Sequence, residues 1–96
     1  MNKAMNVVEF YGFIEGELQG ISSRKGLRLT VYERIQGRSI NCYIRQDRAE
    51  LFDKAMKLFN TRIQAYGMVR CKDDGTPLSI DLENIQPLPT DNQING

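Results

Sequence analysis

The sequence contains no histidine and no tryptophan. Without histidine, the commonest protein metal ligand and the commonest general base are both missing. Cysteine is scarce too. Cys42 and Cys71 are the only two, each among apolar neighbours, and no Cys-x-x-Cys spacing joins them. They read as free, buried thiols acting as small hydrophobes, a disulfide or redox pair being the alternative. No apolar run approaches the roughly 20 residues that a membrane helix needs. The opening MNKAMNVVEF lacks the apolar stretch of a signal peptide, so a cytoplasmic protein with no membrane partner is expected. There is no glycine-rich phosphate loop, no Ser-His or Cys-His arrangement and no cluster of metal ligands. The close acid pairs Glu15/Glu17 and Asp73/Asp74 read as a solvated strand face and a turn. The expectation is therefore a protein that is not an enzyme, with no cofactor and no metal site.

The chain has 96 residues, enough for one core and too few for two. Its net charge of +1 conceals an uneven distribution. Residues 22–48 carry Arg24, Lys25, Arg28, Arg34, Arg38, Arg45 and Arg48 against Glu33 and Asp47, a balance of +5, while the segments on either side are each at −2. A neutral chain with a basic middle third points to a local electrostatic patch.

Periodicity divides the chain into elements. In VVEFYGFIEGELQGI, residues 7–21, Val8, Phe10, Gly12, Ile14, Gly16 and Leu18 share one face of a long strand, and Tyr11, Phe13, Glu15 and Glu17 the other. Glycines in that strand allow it to bend and another backbone to come close. After a polar turn at SSRKG, RLTVYERIQGRSINCYIR (28–45) reads as a hairpin turning around Gln36-Gly37-Arg38. Leu29, Val31, Ile35, Ile40, Cys42 and Ile44 fall on its apolar register.

The period then changes to 3.6, and a helix is expected from Asp47 to Phe59, with Asp47 and Glu50 at capping-box spacing and Asn60 as terminator. Glu50–Lys54 and Asp53–Lys57 are expected i,i+4 pairs along it. Leu51, Phe52, Ala55, Met56 and Phe59 are expected to face the core, so that Phe52→Ala or Phe59→Ala would cost about 3–5 kcal/mol. A fourth strand turns Ile63, Ala65, Gly67, Val69 and Cys71 inward, Asp74-Gly75 makes a tight turn, and a fifth strand carries Ile80 and Leu82 on one face.

Three strands, one helix and two strands is the element order of a five-stranded Greek-key barrel of the OB type, with the helix between strands 3 and 4 plugging one end. The opening FIEGELQGIS, the hairpin LRLTVYERIQGRSINCYI and the close RIQAYGMVRCKDDGTPLSIDLENIQPL resemble small bacterial OB-fold proteins of unassigned function. An SH3-like barrel is the competing architecture, against which the full helix argues. The expected fold is thus all-β with one helix, in an OB-fold domain over residues 7–88, an N-terminal extension over 1–6 and a flexible tail over 89–96.

An OB fold binds its ligands on the outer face of strands 2 and 3 and between the flanking loops. This likeness assigns Arg28, Tyr32 and Arg34 on strand 2, Asn41, Tyr43 and Arg45 on strand 3, and Arg24, Lys25 and Lys72 in the loops to a binding face, with Tyr11 and Phe13 as lesser candidates. Cations for phosphates and flat rings for bases suit single-stranded DNA or RNA. Tyr32 and Tyr43 are expected to lie near each other across the hairpin, ringed by Arg28, Arg34 and Arg45. The other readings are protein–protein interaction, including self-association through this face or the edge of strand 1, an oligosaccharide or other small-ligand site, or an exposed sheet stabilised by cross-strand Tyr–Arg contacts.

Overall fold

The computed structural model describes residues 6–89 of the chain. The tail expected over 89–96 and the extension expected over 1–6 lie, but for their innermost residues, outside the described part. The protein is mostly β, with strands β1 (Val7–Ser22), β2 (Leu27–Glu33), β3 (Arg38–Ile44), β4 (Arg62–Lys72) and β5 (Pro77–Pro87). Helix α1 (Glu50–Lys57) stands between β3 and β4, behind a single 3-10 turn at Gln46–Arg48. The strands hydrogen-bond into a closed ring in the order β1-β2-β3-β5-β4, with β4 returning to β1. All pairings are antiparallel except β3 with β5, so the sheet is mixed.

The ring forms because alternate residues on each strand are apolar and point the same way. Leu18, Leu29, Val31, Ile40, Cys42, Ile63, Ala65, Val69, Ile80 and Ile85 are buried in one cluster, which includes no polar side chain among the described residues. Two glycines let the ring close. At Gly16, β1 passes from pairing with β4 alone to pairing with β2 as well, Glu17 facing both Tyr32 and Arg62. There the Tyr32 carbonyl occupies the space of a side chain on Gly16. At Gly67 the Asp81 carbonyl does the same, beside a bulge in which Tyr66 faces Asn84 while Gly67 faces Leu82. That bulge shifts the alternation by one residue, so Leu82 and Ile85 both point inward although they are three positions apart.

Several sequence expectations are corrected here. Val8 and Phe10, assigned inward, are about half exposed (48% and 46%), because β1 runs past the core at its N-terminal end. Ile35, placed on the apolar register, sits in the β2–β3 turn and is 93% exposed. Glu33 shapes that turn, its carboxylate accepting the N–H of Ile35 (2.7 Å) and of Gln36 (3.1 Å).

The helix is shorter than expected. Asp47 does not cap it, because both carboxylate oxygens accept from Arg45 (3.0 and 3.3 Å), and the N-cap position falls to Ala49 with no side-chain bond. Neither expected i,i+4 pair appears among the ion pairs of the described residues. Glu50 takes Arg48 (3.0 Å), and Lys54 donates to Asn84 Oδ1 (3.2 Å), which ties α1 to β5. Asn60, the expected terminator, lies beyond the helix end, for which Leu58 is the C-cap, and takes the left-handed region at φ 67° in the turn before β4. Leu51 and Ala55 are buried, with Phe52 and Leu58 partly buried against the core. Met56 and Phe59 are exposed, against expectation. At about 100° per residue, Leu51, Ala55 and Leu58 form one line down the helix, and Phe52, Met56 and Phe59 form the next line round.

Candidate functional site

Four of the nine residues assigned to a binding face come together. Arg24 and Lys25 belong to the loop after β1, Arg28 stands near the start of β2, and Tyr43 faces it across the hairpin in the Arg28–Tyr43 register pair. With Ser22, Gly26 and Leu27 they line one cleft of about 460 Å³. The sequence places them there for local reasons. The polar SSRKG segment breaks the strand, Gly26 adopts φ +102° to re-enter it, and alternation along LRLTV sends Leu29 and Val31 inward and Arg28 outward. No carboxylate lines the cleft, and among the described residues none of its three cations forms an ion pair.

The other five lie elsewhere. Tyr32 faces Ser39, four residues before Tyr43 on β3. At about 3.3 Å per residue the two tyrosines are about 13 Å apart along the hairpin, so they do not form the neighbouring pair that was expected. Tyr32 and Arg34 belong to the tip of the hairpin, where Glu33, Ile35 and Gln36 share a second cleft with Glu15, Gly75 and Pro77 from β1 and the β4–β5 turn. Lys72 ends β4 on that side of the molecule, opposite Val7. Asn41 is half-buried between Thr30 and Ser79. Arg45 is exposed but engaged by Asp47, whose hydrogen bond and charge raise its pKa further.

The basic patch read from sequence is thus divided. Besides Arg45, Arg48 is drawn into structure, donating to Glu83 Oε1 (3.2 Å) and the Glu83 carbonyl (2.8 Å) as well as to Glu50. Of the rest, Arg24, Lys25 and Arg28 gather in the cleft, while Arg34 and Arg38, also without an ion pair among the described residues, stand at the opposite end of the hairpin.

A second aromatic group was not anticipated as a unit. On the outer face of β1 and β4, the rings of Tyr11 and Tyr66 stack at 6.4 Å with planes 22° apart, and Phe13 faces Tyr66 in register. Pairing carries this face back to Tyr43 through one row across the sheet, Tyr43–Asp81–Met68–Tyr11. Arg70 neutralises the acid of that row, bonding both Asp81 oxygens (3.1 and 2.5 Å), and also bonds its own register partner Glu9 (3.0 Å). The signal for this group was the YGF spacing on β1, but its partner Tyr66 is distant in sequence.

Both cysteines are free and buried, as the sequence indicated. Burial pushes the Cys42 thiol up to about 12 and also raises Cys71. An unfolded thiol ionises at about 8.5, so the unfolded chain releases the Cys42 proton at lower pH than the folded one. The contribution of Cys42 to stability is therefore complete below about pH 8.5 and declines as pH rises toward its folded value. Urea midpoints measured across the alkaline range will fall more steeply for the native chain than for Cys42→Ala, and a thiol reagent at neutral pH will label Cys42 only after denaturation. Among the described residues no three Cys, Asp or Glu side chains gather to hold a metal ion, and no helix is long and apolar enough to cross a membrane.

The molecule is a small five-stranded mixed sheet closed into a ring, with one helix between the third and fourth strands. No protein-family model, no curated protein and no solved structure matches this chain.

Proposed function

We propose that the ring is an OB-type barrel and that the protein is a binding module for single-stranded nucleic acid, with the cleft at the β1–β2 loop as its central contact. One observation carries this reading: Arg24, Lys25 and Arg28 surround Tyr43 in a cleft that no carboxylate lines. Three cations concentrated around a concave surface attract a polyanion, and arginine in particular grips phosphate through its planar fork. The Tyr43 ring, 42% exposed, offers a face on which a base stacks. The titratable groups here are cations and a phenol, which favours binding without catalysis.

Anisotropy titrations of labelled single-stranded DNA and RNA at about 50 and about 200 mM salt test the reading and separate the two polymers. The protein will bind, and affinity will fall as salt rises. Arg28→Ala will reduce the log–log salt slope by about 0.7, the value for one lost phosphate contact on a single strand. Tyr43→Ala will cost about 1–3 kcal/mol while leaving the slope unchanged. Tyr32→Ala and Lys72→Ala, at the far end of the hairpin, will change little. Absence of binding to either polymer at low salt would reject the reading.

A further inference from the structure

The N-terminal half of β1 is an open sheet edge. β4 pairs with β1 from Val7 to Glu17, but β2 joins on the opposite side only from Glu17 to Ser22. Among the described residues nothing pairs with residues 7–16 on that side. The Leu18 N–H donates to the Thr61 carbonyl, on the β4 side, and the β1–β4 register runs without a break from Val7 to Glu17. Backbone groups alternate along a strand, so the even residues bond β4 while Val7, Glu9, Tyr11 and Phe13 aim their N–H and C=O groups outward. Large apolar or aromatic side chains stand about half exposed on both faces, Val8 and Phe10 on one, Val7, Tyr11 and Phe13 on the other, all between 46% and 62% exposed. Natural edges of this kind are protected by lysine, proline or a bulge. VVEFYGF has none of these and one charge, Glu9.

We propose that this edge is the dimer interface of the protein, β1 pairing antiparallel with β1 of a second copy about a two-fold axis at Phe10. The two-fold favours a second copy as the occupant, since each chain brings the same uncovered strand and one pairing covers both. Centred on Phe10, Val7 faces Phe13, Val8 faces Gly12, Glu9 faces Tyr11 and Phe10 faces Phe10 of the second copy. No like charges meet. Centring on Gly12 would set Glu9 against Glu15, which is destabilising. Centring on Tyr11 would set Val7 against Glu15, an apolar side chain against a charge. The pairing leaves the basic cleft open, because that cleft lies at the Ser22 end of β1.

Light scattering coupled to size exclusion tests the proposal directly. The wild-type chain will run at twice its 11.0 kDa mass, dissociating on dilution. Tyr11→Pro removes an edge N–H that does not bond β4, and Phe10→Lys sets two ammonium groups face to face on the axis; each will halve the mass. Hydrogen exchange on the unaltered chain supplies a second readout should a variant unfold. The amides of Glu9, Tyr11 and Phe13 will be protected at high concentration and lose protection on dilution, while those of Val8, Phe10 and Gly12 stay protected by β4 at both. A wild type that is monomeric at its solubility limit, a dimer that survives both substitutions in folded protein, or a dimer whose Glu9, Tyr11 and Phe13 amides exchange freely would each overturn the assignment.

Discussion

Gly67→Ala will lower stability by about 3 kcal/mol or more, at the upper end of what overpacking a well-filled site costs. A methyl group on Gly67 would meet the Asp81 carbonyl and the Glu83 backbone, with no flexible side chain to move aside. Relief requires the β4–β5 ladder to part at its bulge, which removes hydrogen bonds on both strands and displaces Leu82 from the core. Gly16→Ala will behave in the same way, because the atom in its path is the Tyr32 carbonyl. Gly75→Ala is the contrast. It is strained by its φ of +91°, but open space surrounds it, so the expected loss is about 1 kcal/mol. Urea midpoints at constant m-value measure all three. Equal losses at Gly67 and Gly75 would mean that close backbone approach is not what the ring requires.

Leu51→Ala will destabilise by about 3 kcal/mol, whereas Phe59→Ala will cost less than about 1 kcal/mol. Leu51 is 3% exposed and packs into the core cluster, so its loss leaves a cavity under the helix. Phe59 is 42% exposed and, with Met56 and Phe52, borders an open apolar cleft against Gln19, Gly20 and Ile21. Truncating it removes a ring already open to water over much of its surface and leaves no enclosed cavity. The ordering reverses what residue size alone suggests. A Phe59→Ala loss matching that of Leu51→Ala would place the Phe59 ring against the core.

Sequence and structure agree wherever the period of the apolar residues is clean. Ile63, Ala65, Val69 and Cys71 were legible as the inner face of β4, and Leu29, Val31, Ile40, Cys42 and Ile44 as that of the hairpin. They diverge where an apolar residue lies beyond the reach of the core, as at Val8, Phe10, Ile35, Met56 and Phe59. Hydrophobicity marks a residue as able to be buried, and only the extent of neighbouring elements determines whether anything covers it. The Asp47 cap failed for a related reason: Arg45, two residues away, offers the carboxylate a charged donor, which competes with a backbone N–H.

The outward direction of the arginine and tyrosine residues was legible, and their layout was misjudged. Alternation on β2 and β3 correctly sent the arginines and tyrosines outward, but cross-strand register depends on the turn, and four residues between Glu33 and Arg38 separate Tyr32 from Tyr43. The sequence by itself determined the number and order of elements, the buried thiols, the strand residues that line the core and the concentration of cations between residues 22 and 48, because each of these follows from local chemistry. Tertiary structure alone decided which cations remain unpaired, which end of the hairpin gathers them around a tyrosine, and that one half of β1 lacks a neighbour. Those outcomes depend on distances between residues far apart in the chain, such as Arg48 and Glu83 or Tyr11 and Tyr66, and local pattern does not encode such distances.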